Sequence, residues 1–529
     1  MTALTTSLAF ALAVQNRQKN NLEVAENLYR EILKTNPDHF ESIFDLGALL
    51  AQTKRFDLAI PLLHQAIQIQ PNYADSHYNL GVAWQELGEY QKAMSSYEKA
   101  ITIQPDYTKA YNNIGRVLQE LGQHQKAMSS YEKAITIQPD YAKAHYNIGK
   151  VLQELGEHKK AISFYQMAVK YEPENLAYLY DLSLLDEKIL HSNLKNKIYE
   201  IIEKNNPTKK NMVYGNFLLS RYELKAKKYK NEFDHLLKGH QHHFESENKK
   251  FKKRLEYLLN VLPKRKKLIN LHKHNKNIKM NNYAIKPIFI IGVPRCGSTL
   301  IEKIIASGSQ YIPIGEEKGI IDAVVENHIN QNQSLNLDIE NLQTKIVEAY
   351  KQQGLVQEKS GYMFTDKTLA NFFYIDIIKE IFPQAKVINC RRNALSSIMS
   401  TLKNNLAFLA WAHNLKHIFK YYNIYYQTIK NFKKTFPNFI YDLEYEKFVS
   451  NPENEAKKLM KFCDLPWDIK CLEFYKRRDL ISKTASNIQI RKAIYKDSIN
   501  KYLPYKQFLS KYGNKYSWFR SGMIWDFIR

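Results

Sequence analysis

Five prolines, Pro37, Pro71, Pro105, Pro139 and Pro173, stand 34 residues apart, and Gly47, Gly81, Gly115 and Gly149 recur on the same step. A period of this length commits the N-terminal part of the chain to a stacked array, because one such unit cannot bury its apolar face alone and needs its neighbours to cover it. Ala59, Ala93, Ala127 and Ala161 keep the period, and so do Tyr97, Tyr131 and Tyr165. Small residues let two helices approach closely and the aromatic rings fill the gap between neighbours, so each unit reads as a helix hairpin. Ala25 and Tyr29 place one more, divergent unit at the start, giving about five units over residues 5–172 and a closing helix near 174–190.

Taken together, these proline, glycine, alanine and aromatic positions resemble the tetratricopeptide repeat. The resemblance implies a superhelix whose concave face can take a polypeptide partner. Asn79, Asn113 and Asn147 recur in the first helix of three units. In other tetratricopeptide arrays this position forms an asparagine ladder along a bound peptide; tandem copying of a solvated asparagine accounts for the pattern equally, and both readings stand open.

At 529 residues the chain is too long for one core and implies two or three domains. A net charge of +24 suits a polyanionic cofactor, acidic acceptors, an acidic surface or nucleic acid. Abundant Lys, Asn and Ile also fit an A+T-rich coding bias, so no nucleic-acid partner is expected. Cys296, Cys390, Cys463 and Cys471 lie far apart with no CxxC or zinc-type spacing, which indicates neither a disulfide framework nor a metal site. The apolar stretch Leu8 to Val14 lacks a basic leader and falls in register with the repeats, so it reads as a repeat helix rather than a signal peptide. No stretch approaches membrane-spanning length, and a cytoplasmic location is expected. Residues 191–282 are Lys-rich, with apolar residues at helical spacing over 212–237 and 251–262, and read as degenerate hairpins followed by a basic surface linker.

From residue 286 the pattern changes to apolar strand, loop and helix, the signature of a parallel α/β sheet. A strand over 287–293 runs into the frame Gly292-x4-Gly297-Ser298-Thr299, nearly the Walker A spacing, but Ser298 stands where the phosphate-binding lysine belongs. Backbone N–H groups at the start of a helix still hold an anion. A nucleotide γ-phosphate would lose its main cation there, so a nucleotide with a different terminal group is expected, with Arg295 as the substitute cation. A helix near 371–382 and a strand over 385–390 then deliver Arg391 and Arg392 to a carboxyl end, where open α/β sheets bind ligands.

Pro294-Arg295-Cys296-Gly297-Ser298-Thr299-Leu300 resembles the Pro-Arg-Ser-Gly-Thr-Thr-Leu loop of sulfotransferases. The resemblance implies that Arg295, Cys296, Gly297, Ser298 and Thr299 hold the 5′-phosphosulfate of 3′-phosphoadenosine 5′-phosphosulfate (PAPS), although Cys296 replaces a serine and Ser298 a threonine. In that family an Arg at the end of this strand and a Ser eight residues on bind the 3′-phosphate, roles that fall on Arg392 and Ser400; Arg391 has none. Lys367 in Thr365-Asp366-Lys367, 25 residues before Arg392, matches the transition-state lysine, with Arg295 and Ser486 completing the cradle of the leaving phosphate. Gly315-Glu316-Glu317 resembles the Gly-Glu-Glu of tyrosylprotein sulfotransferases and makes Glu317 the base; the Gly-Glu-Leu of repeat-bearing bacterial relatives would favour Glu316. Ser486, Arg491, Tyr495 and Lys501 match a loop that folds over the cofactor, and Tyr445 falls on the family's Tyr-Glu-Asp-Leu strand near the adenine. Asn404 stands where tyrosylprotein enzymes carry a further Arg.

The implied protein is a multidomain sulfotransferase: tetratricopeptide repeats over 1–190, a helical bridge and linker over 191–285, and a P-loop-like α/β sulfotransferase domain over 286–529. PAPS would be the donor with no metal required, and the acceptor a hydroxyl on a peptide, glycan or small molecule, tyrosine included. The competing expectation is a non-enzymatic scaffold whose α/β half is a degenerate nucleotide domain.

Overall fold

The computed structural model describes residues 5–267, 270–271, 285–308, 312–315, 319–332, 336–337, 339–356, 363–477, 489–495 and 499–520. Two compact units emerge, one of residues 1–152 and 157–178, the other of residues 153–156 and 179–529.

In the first unit the five expected hairpins form, from Thr6–Gln18 paired with Leu22–Thr35 to Ala142–Glu154 paired with His158–Tyr171. The second helix of three consecutive hairpins ends at Ile69, Ile103 and Ile137, and each is followed by a Gln outside the helical region and then a proline. A residue before proline is pushed out of the α region, so the periodic proline sets each helix end. The periodic glycine sets the spacing within each hairpin. A Cβ on Gly115 would stand 2.5 Å from the Tyr131 ring, and one on Gly81 2.6 Å from Tyr97. Those rings are fully buried. Their hydroxyls donate back to the first helix of the same hairpin, Tyr97 to Gln85 at 2.8 Å and Tyr131 to Gln119 at 3.1 Å.

Asn113 and Asn147 are buried and bonded between neighbouring hairpins. Asn113 Nδ2 donates to the Tyr78 hydroxyl at 3.1 Å, and Asn147 Nδ2 to Asn112 Oδ1 at 2.9 Å. These two asparagines knit one repeat to the next and are not solvated copies. Asn79 stays partly exposed.

The second unit is built on five parallel strands, β1 Lys286–Gly292, β2 Ile314–Gly315, β3 Met363–Asp366, β4 Lys386–Arg391 and β5 Ile440–Glu444, in the order β2-β3-β1-β4-β5. Ile288 to Ile291 are buried on both faces, as an interior parallel strand requires. The short strands β2 and β3 carry no pattern strong enough to be expected from sequence. The helix expected over 371–382 is a 3-10 turn, Leu369–Tyr374, followed by an α-helix, Ile375–Ile381.

Helices within 192–256 belong to this second unit. Glu232, on the helix Tyr229–Ser246, is fully buried and is shared by Lys403 at 3.0 Å and the Tyr505 hydroxyl at 2.6 Å. No helix among the described residues is long and apolar enough to cross a membrane.

The Gly115 contact makes a signed prediction. Alanine normally gains about 1 kcal/mol over glycine inside a helix, yet here its methyl meets a buried ring that cannot yield without moving a neighbour. Gly115→Ala is expected to lower the stability of the array by about 1–3 kcal/mol, read as a lower urea midpoint of the helical circular dichroism signal; an unchanged or higher midpoint counts against this packing.

Candidate active site at the carboxyl end of the sheet

The loop after β1 carries an uncommon backbone. Arg295 sits in the left-handed region at φ 68° and Gly297 at φ 97°. A non-glycine residue held there costs about 1–2 kcal/mol and persists only when its surroundings determine it. The surroundings are identifiable. Arg392 Nη1 donates to the Arg295 carbonyl at 3.0 Å, and Arg295 Nε donates to Ser400 Oγ at 2.9 Å. A further bond runs from Arg295 Nη2 to Gln489 Oε1 at 3.1 Å. The residues expected to serve two separate phosphates are thus joined through one arginine.

Gly297 is required for a second reason. A Cβ there would come 2.4 Å from the Tyr445 ring, and that ring lies 4.7 Å from the Arg392 guanidinium. Tyr445 is not on a strand as expected; β5 ends at Glu444 and Tyr445 opens the helix Tyr445–Ser450. Leaving the strand there turns its ring back under Arg392 and against the loop. Burial, reinforced by the nearby Arg392 cation, draws the Arg295 guanidinium down to about 10, still protonated at neutral pH. Two guanidiniums held this close repel each other, and an anion placed between them relieves the repulsion.

Cys296, the departure from serine, is buried beneath the loop. Its thiol lies against the buried thiol of Cys390 on β4. Burial alone would raise Cys296, but hydrogen bonds from Cys390 and Ser298 lower it, while Cys390 is pushed far up. The side chain packs the loop onto β4.

Lys367 follows β3, and the parallel register of Gly315 with Asp366 fixes it there. It is fully buried, with Nζ 3.4 Å from Thr299 Oγ1 and 3.6 Å from Glu302 Oε2. Glu302 also lies 3.7 Å from buried Lys303, so one carboxylate of the loop helix Ser298–Ala306 sits between two ammonium groups. Neither Glu302 nor Lys303 was expected; in sequence they look like an ordinary helix pair. Asp366 positions the lysine by accepting from the Thr368 N–H at 2.8 Å and from the Tyr350 hydroxyl at 2.5 Å. Arg391 is used structurally, in an ion pair with Asp442 at 2.8 Å that ties β4 to β5.

A cavity of about 540 Å³ opens at this end of the sheet, within the range of ligand pockets. Arg295, Gly297, Ser298, Thr299, Arg392, Tyr445 and Tyr495 line it. Lys367 lies behind Thr299, Ser400 behind Arg295, and Arg491 donates to the Arg477 carbonyl at 2.8 Å away from the lining. Lys501 is exposed and outside it. Asn404 donates back to the Ser400 carbonyl at 2.6 Å as a helix-end bond. Glu316, Glu317 and Ser486 lie outside the described residues. Their neighbours are anchored at the site: Lys367 N–H donates to Gly315 O at 3.0 Å, and Gly319 N–H to Thr368 Oγ1 at 2.9 Å.

Comparison with known proteins agrees with this geometry. Residues 287–469 match the family described as sulfotransferase. Residues 74–107 and 142–175 match the tetratricopeptide repeat, and 47–88 and 115–156 a further repeat of that type. This chain joins tetratricopeptide repeats to a sulfotransferase-family domain. An uncharacterised protein of Aquifex aeolicus (strain VF5) is 32% identical over 240 residues, covering 42% of this chain and 31% of that protein. The match therefore spans about a third of the relative's length. Among solved structures, MamA is 28% identical with a TM-score of 0.28, covering 30% of this chain and 94% of MamA. The thermophilic tetratricopeptide protein TTC0263 of Thermus thermophilus is 19% identical with a TM-score of 0.31, covering 34% of this chain and 98% of that one.

Three histidines hold one wall of the cavity from behind. His240 Nε2 lies 2.9 Å from the Leu402 carbonyl and its Nδ1 3.0 Å from His413 Nδ1, while His243 Nε2 lies 3.3 Å from the Ala407 carbonyl. These contacts hold the 402–413 segment that carries the lining residues Asn405 to Leu409 and Trp411. Burial draws His240 down to about 4 and His413 to about 2. Both are neutral when folded and titrate near 6.5 when unfolded, so the unfolded chain binds the extra protons. Stability is then intact above about pH 6.5 and falls as pH drops from there towards 4, with His240 alone costing about 2 kcal/mol at pH 5. The melting temperature of the full chain is expected to fall between pH 7 and 5, and to fall less in His240→Gln, which can still donate to Leu402. An identical pH slope in the variant would remove His240 from this account.

Proposed function

We propose that this chain is a PAPS-dependent sulfotransferase moving a sulfuryl group to an acceptor hydroxyl, with protein tyrosine among the possible acceptors. The observation that carries the proposal is the convergence of Arg392, itself over the Tyr445 ring, and Ser400 on a left-handed Arg295 in an anion loop without a phosphate-loop lysine. The donor set fits the cofactor: hydroxyls on Ser298 and Thr299, loop N–H groups at a helix start, and two guanidiniums set close together. PAPS would supply the activated sulfuryl group.

The roles of the chain's own residues follow from charge. Arg295, Ser298 and Thr299 hold the 5′ end, with Cys296 packing the loop and Gly297 leaving room for Tyr445. Arg392, braced by Tyr445, takes the 3′-phosphate, and Ser400 orients Arg295. Lys367 supplies positive charge at the leaving phosphate, held in place by Glu302 until needed; a preset cation of this kind acts without reorganising solvent. Glu317, or Glu316, removes the acceptor proton. Ser486, Arg491, Tyr495 and Lys501 belong to the segment that closes over the cofactor and excludes water. No metal is needed, since protein cations carry the charge. Residues 1–190 serve as a protein-binding arm, 191–285 as a bridge and 286–529 as the catalytic domain, in the cytoplasm.

Titration calorimetry of the full chain with 3′-phosphoadenosine 5′-phosphate is expected to show binding that weakens about 10- to 100-fold in Arg392→Ala, the loss of one charge-assisted contact of about 1.5–3 kcal/mol. No binding would favour the scaffold reading, and a preference for ATP with Mg²⁺ a kinase. Lys367→Ala is expected to lower turnover about 100-fold while leaving that affinity nearly unchanged; an unchanged rate removes Lys367 from the chemistry. Of Glu317→Gln and Glu316→Gln, the first is expected to abolish turnover, and loss only in the second moves the base by one residue.

A further inference from the structure

Beneath the anion loop lies a pair of side chains that the function proposed above uses only for packing. All four cysteines of the chain are buried, and two of them meet. Gly292 of β1 stands opposite Cys390 of β4 in the parallel register, and the loop brings Cys296 back to the same place. Both sides close on one point: a Cβ on Gly292 would come 2.7 Å from the Cys390 carbonyl and 3.0 Å from Cys296 Sγ. The two thiols are hydrogen-bonded to each other. Cys296 lies between Arg295 and Gly297, which both line the cavity, so only the loop itself separates its sulfur from that space.

The pair is chemically unequal. Burial raises the Cys296 thiol, but the bonds it takes from Cys390 and Ser298 outweigh burial and hold it below the usual range. Ser298 opens the loop helix, and a thiol beside a helix start with such donors is a nucleophile. Cys390 is pushed far up, first by its bond to Cys296, then by burial and by the charge on Cys296, while Lys367 pulls the other way. Oxidation of Cys296 to a neutral sulfenic acid removes that charge and leaves Lys367 in place, which frees Cys390 to attack in its turn. The remaining cysteines differ. Burial pushes Cys463 up to about 12, and Cys471 Sγ donates to the Asp468 carbonyl at 2.7 Å, so neither has the character of an attacking thiol.

We propose that Cys296 and Cys390 are a redox-active pair, which hydrogen peroxide converts to a disulfide that disables the anion loop. The Cys296 sulfur attacks one peroxide oxygen and the O–O bond breaks; the departing hydroxide takes the Cys296 proton and leaves as water, with a sulfenic acid on Cys296. The Cys390 sulfur then attacks the Cys296 sulfur. The S–S bond forms as the S–O bond breaks, and the hydroxyl leaves with the Cys390 proton as a second water. Each thiol has given up one electron, and the peroxide is reduced to water. A bond between the sulfurs is shorter than any contact between thiols, so closing it draws the loop towards β4. The loop has little freedom to follow, because Arg392 and Ser400 hold Arg295 in the left-handed region and Gly297 faces the Tyr445 ring. Its displacement takes Arg295 and the Ser298 and Thr299 hydroxyls out of alignment on one anion. The serine of the loop that this one resembles has no such chemistry.

The loss of binding rests on the sulfotransferase function proposed above; the bond itself does not. The test uses the full chain, reduced with dithiothreitol, freed of it, exposed to hydrogen peroxide and quenched with catalase. The oxidised chain is expected to be about 2 Da lighter, and digestion after alkylation of the free thiols to give a peptide joining Cys296 to Cys390. Titration calorimetry with 3′-phosphoadenosine 5′-phosphate is expected to show affinity about 10- to 100-fold weaker in the oxidised chain, restored by dithiothreitol. Cys463→Ser combined with Cys471→Ser, which leaves only the pair, is expected to behave as the parent chain, and Cys390→Ser to show no such loss of mass. An unchanged mass, a link to Cys463 or Cys471, oxygen added to Cys296 without a link, or unchanged affinity in the linked chain overturns the inference and leaves the sulfotransferase function standing. Absence of binding by the reduced chain instead removes that function, and the linked peptide still decides whether the pair forms.

Discussion

The catalytic unit depends on how the backbone of Arg295 is held. Its carbonyl accepts from Arg392 on the next strand, and its guanidinium donates to Ser400 in the following helix. One residue in a costly left-handed conformation thereby couples the loop after β1 to the end of β4. The two sites expected for the two ends of the cofactor share this residue, so disturbing either disturbs both. Gly292 and Gly297 make the coupling possible, because a Cβ at the first would come 2.7 Å from the Cys390 carbonyl and at the second 2.4 Å from Tyr445.

Beneath the loop the chain accepts an expensive arrangement. Glu302, Lys303 and Lys367 are all buried, and burying one charge without partners costs several kcal/mol. The Glu302 carboxylate lies within 4 Å of both ammonium groups, 3.7 Å from Lys303 and 3.6 Å from Lys367, so the three charges are buried as a group. The helices within 192–256 contribute in a different way. Their histidines and Glu232 grip the 402–413 segment and the C-terminal turn at Tyr505, so part of the cavity wall is positioned by what looks in sequence like a bridge.

Much of the first unit was legible because period is a local property. A proline every 34 residues ends a helix wherever it occurs, and a glycine opposite a tyrosine needs only the hairpin to form. Asn113 and Asn147 were less legible: their partners Tyr78 and Asn112 lie 35 residues away, and no spacing distinguishes a buried amide from a solvated one. In the second unit Arg295, Ser298, Thr299 and Arg392 were readable from strand and loop pattern. Glu302 and Gln489 were not, since each acquires meaning only from a residue distant in the chain.

By itself, then, the sequence determined a repeat array followed by a parallel α/β domain with an anion loop that lacks a lysine, because helix ends, strand runs and loop conformations follow from neighbouring residues. Tertiary structure decided that Cys296 faces Cys390, that Tyr445 leaves its strand to brace Arg392, and that Lys367 is held by Glu302. Those are pairings across the sheet, and the order β2-β3-β1-β4-β5 that brings them about is a property of packing that no local pattern records.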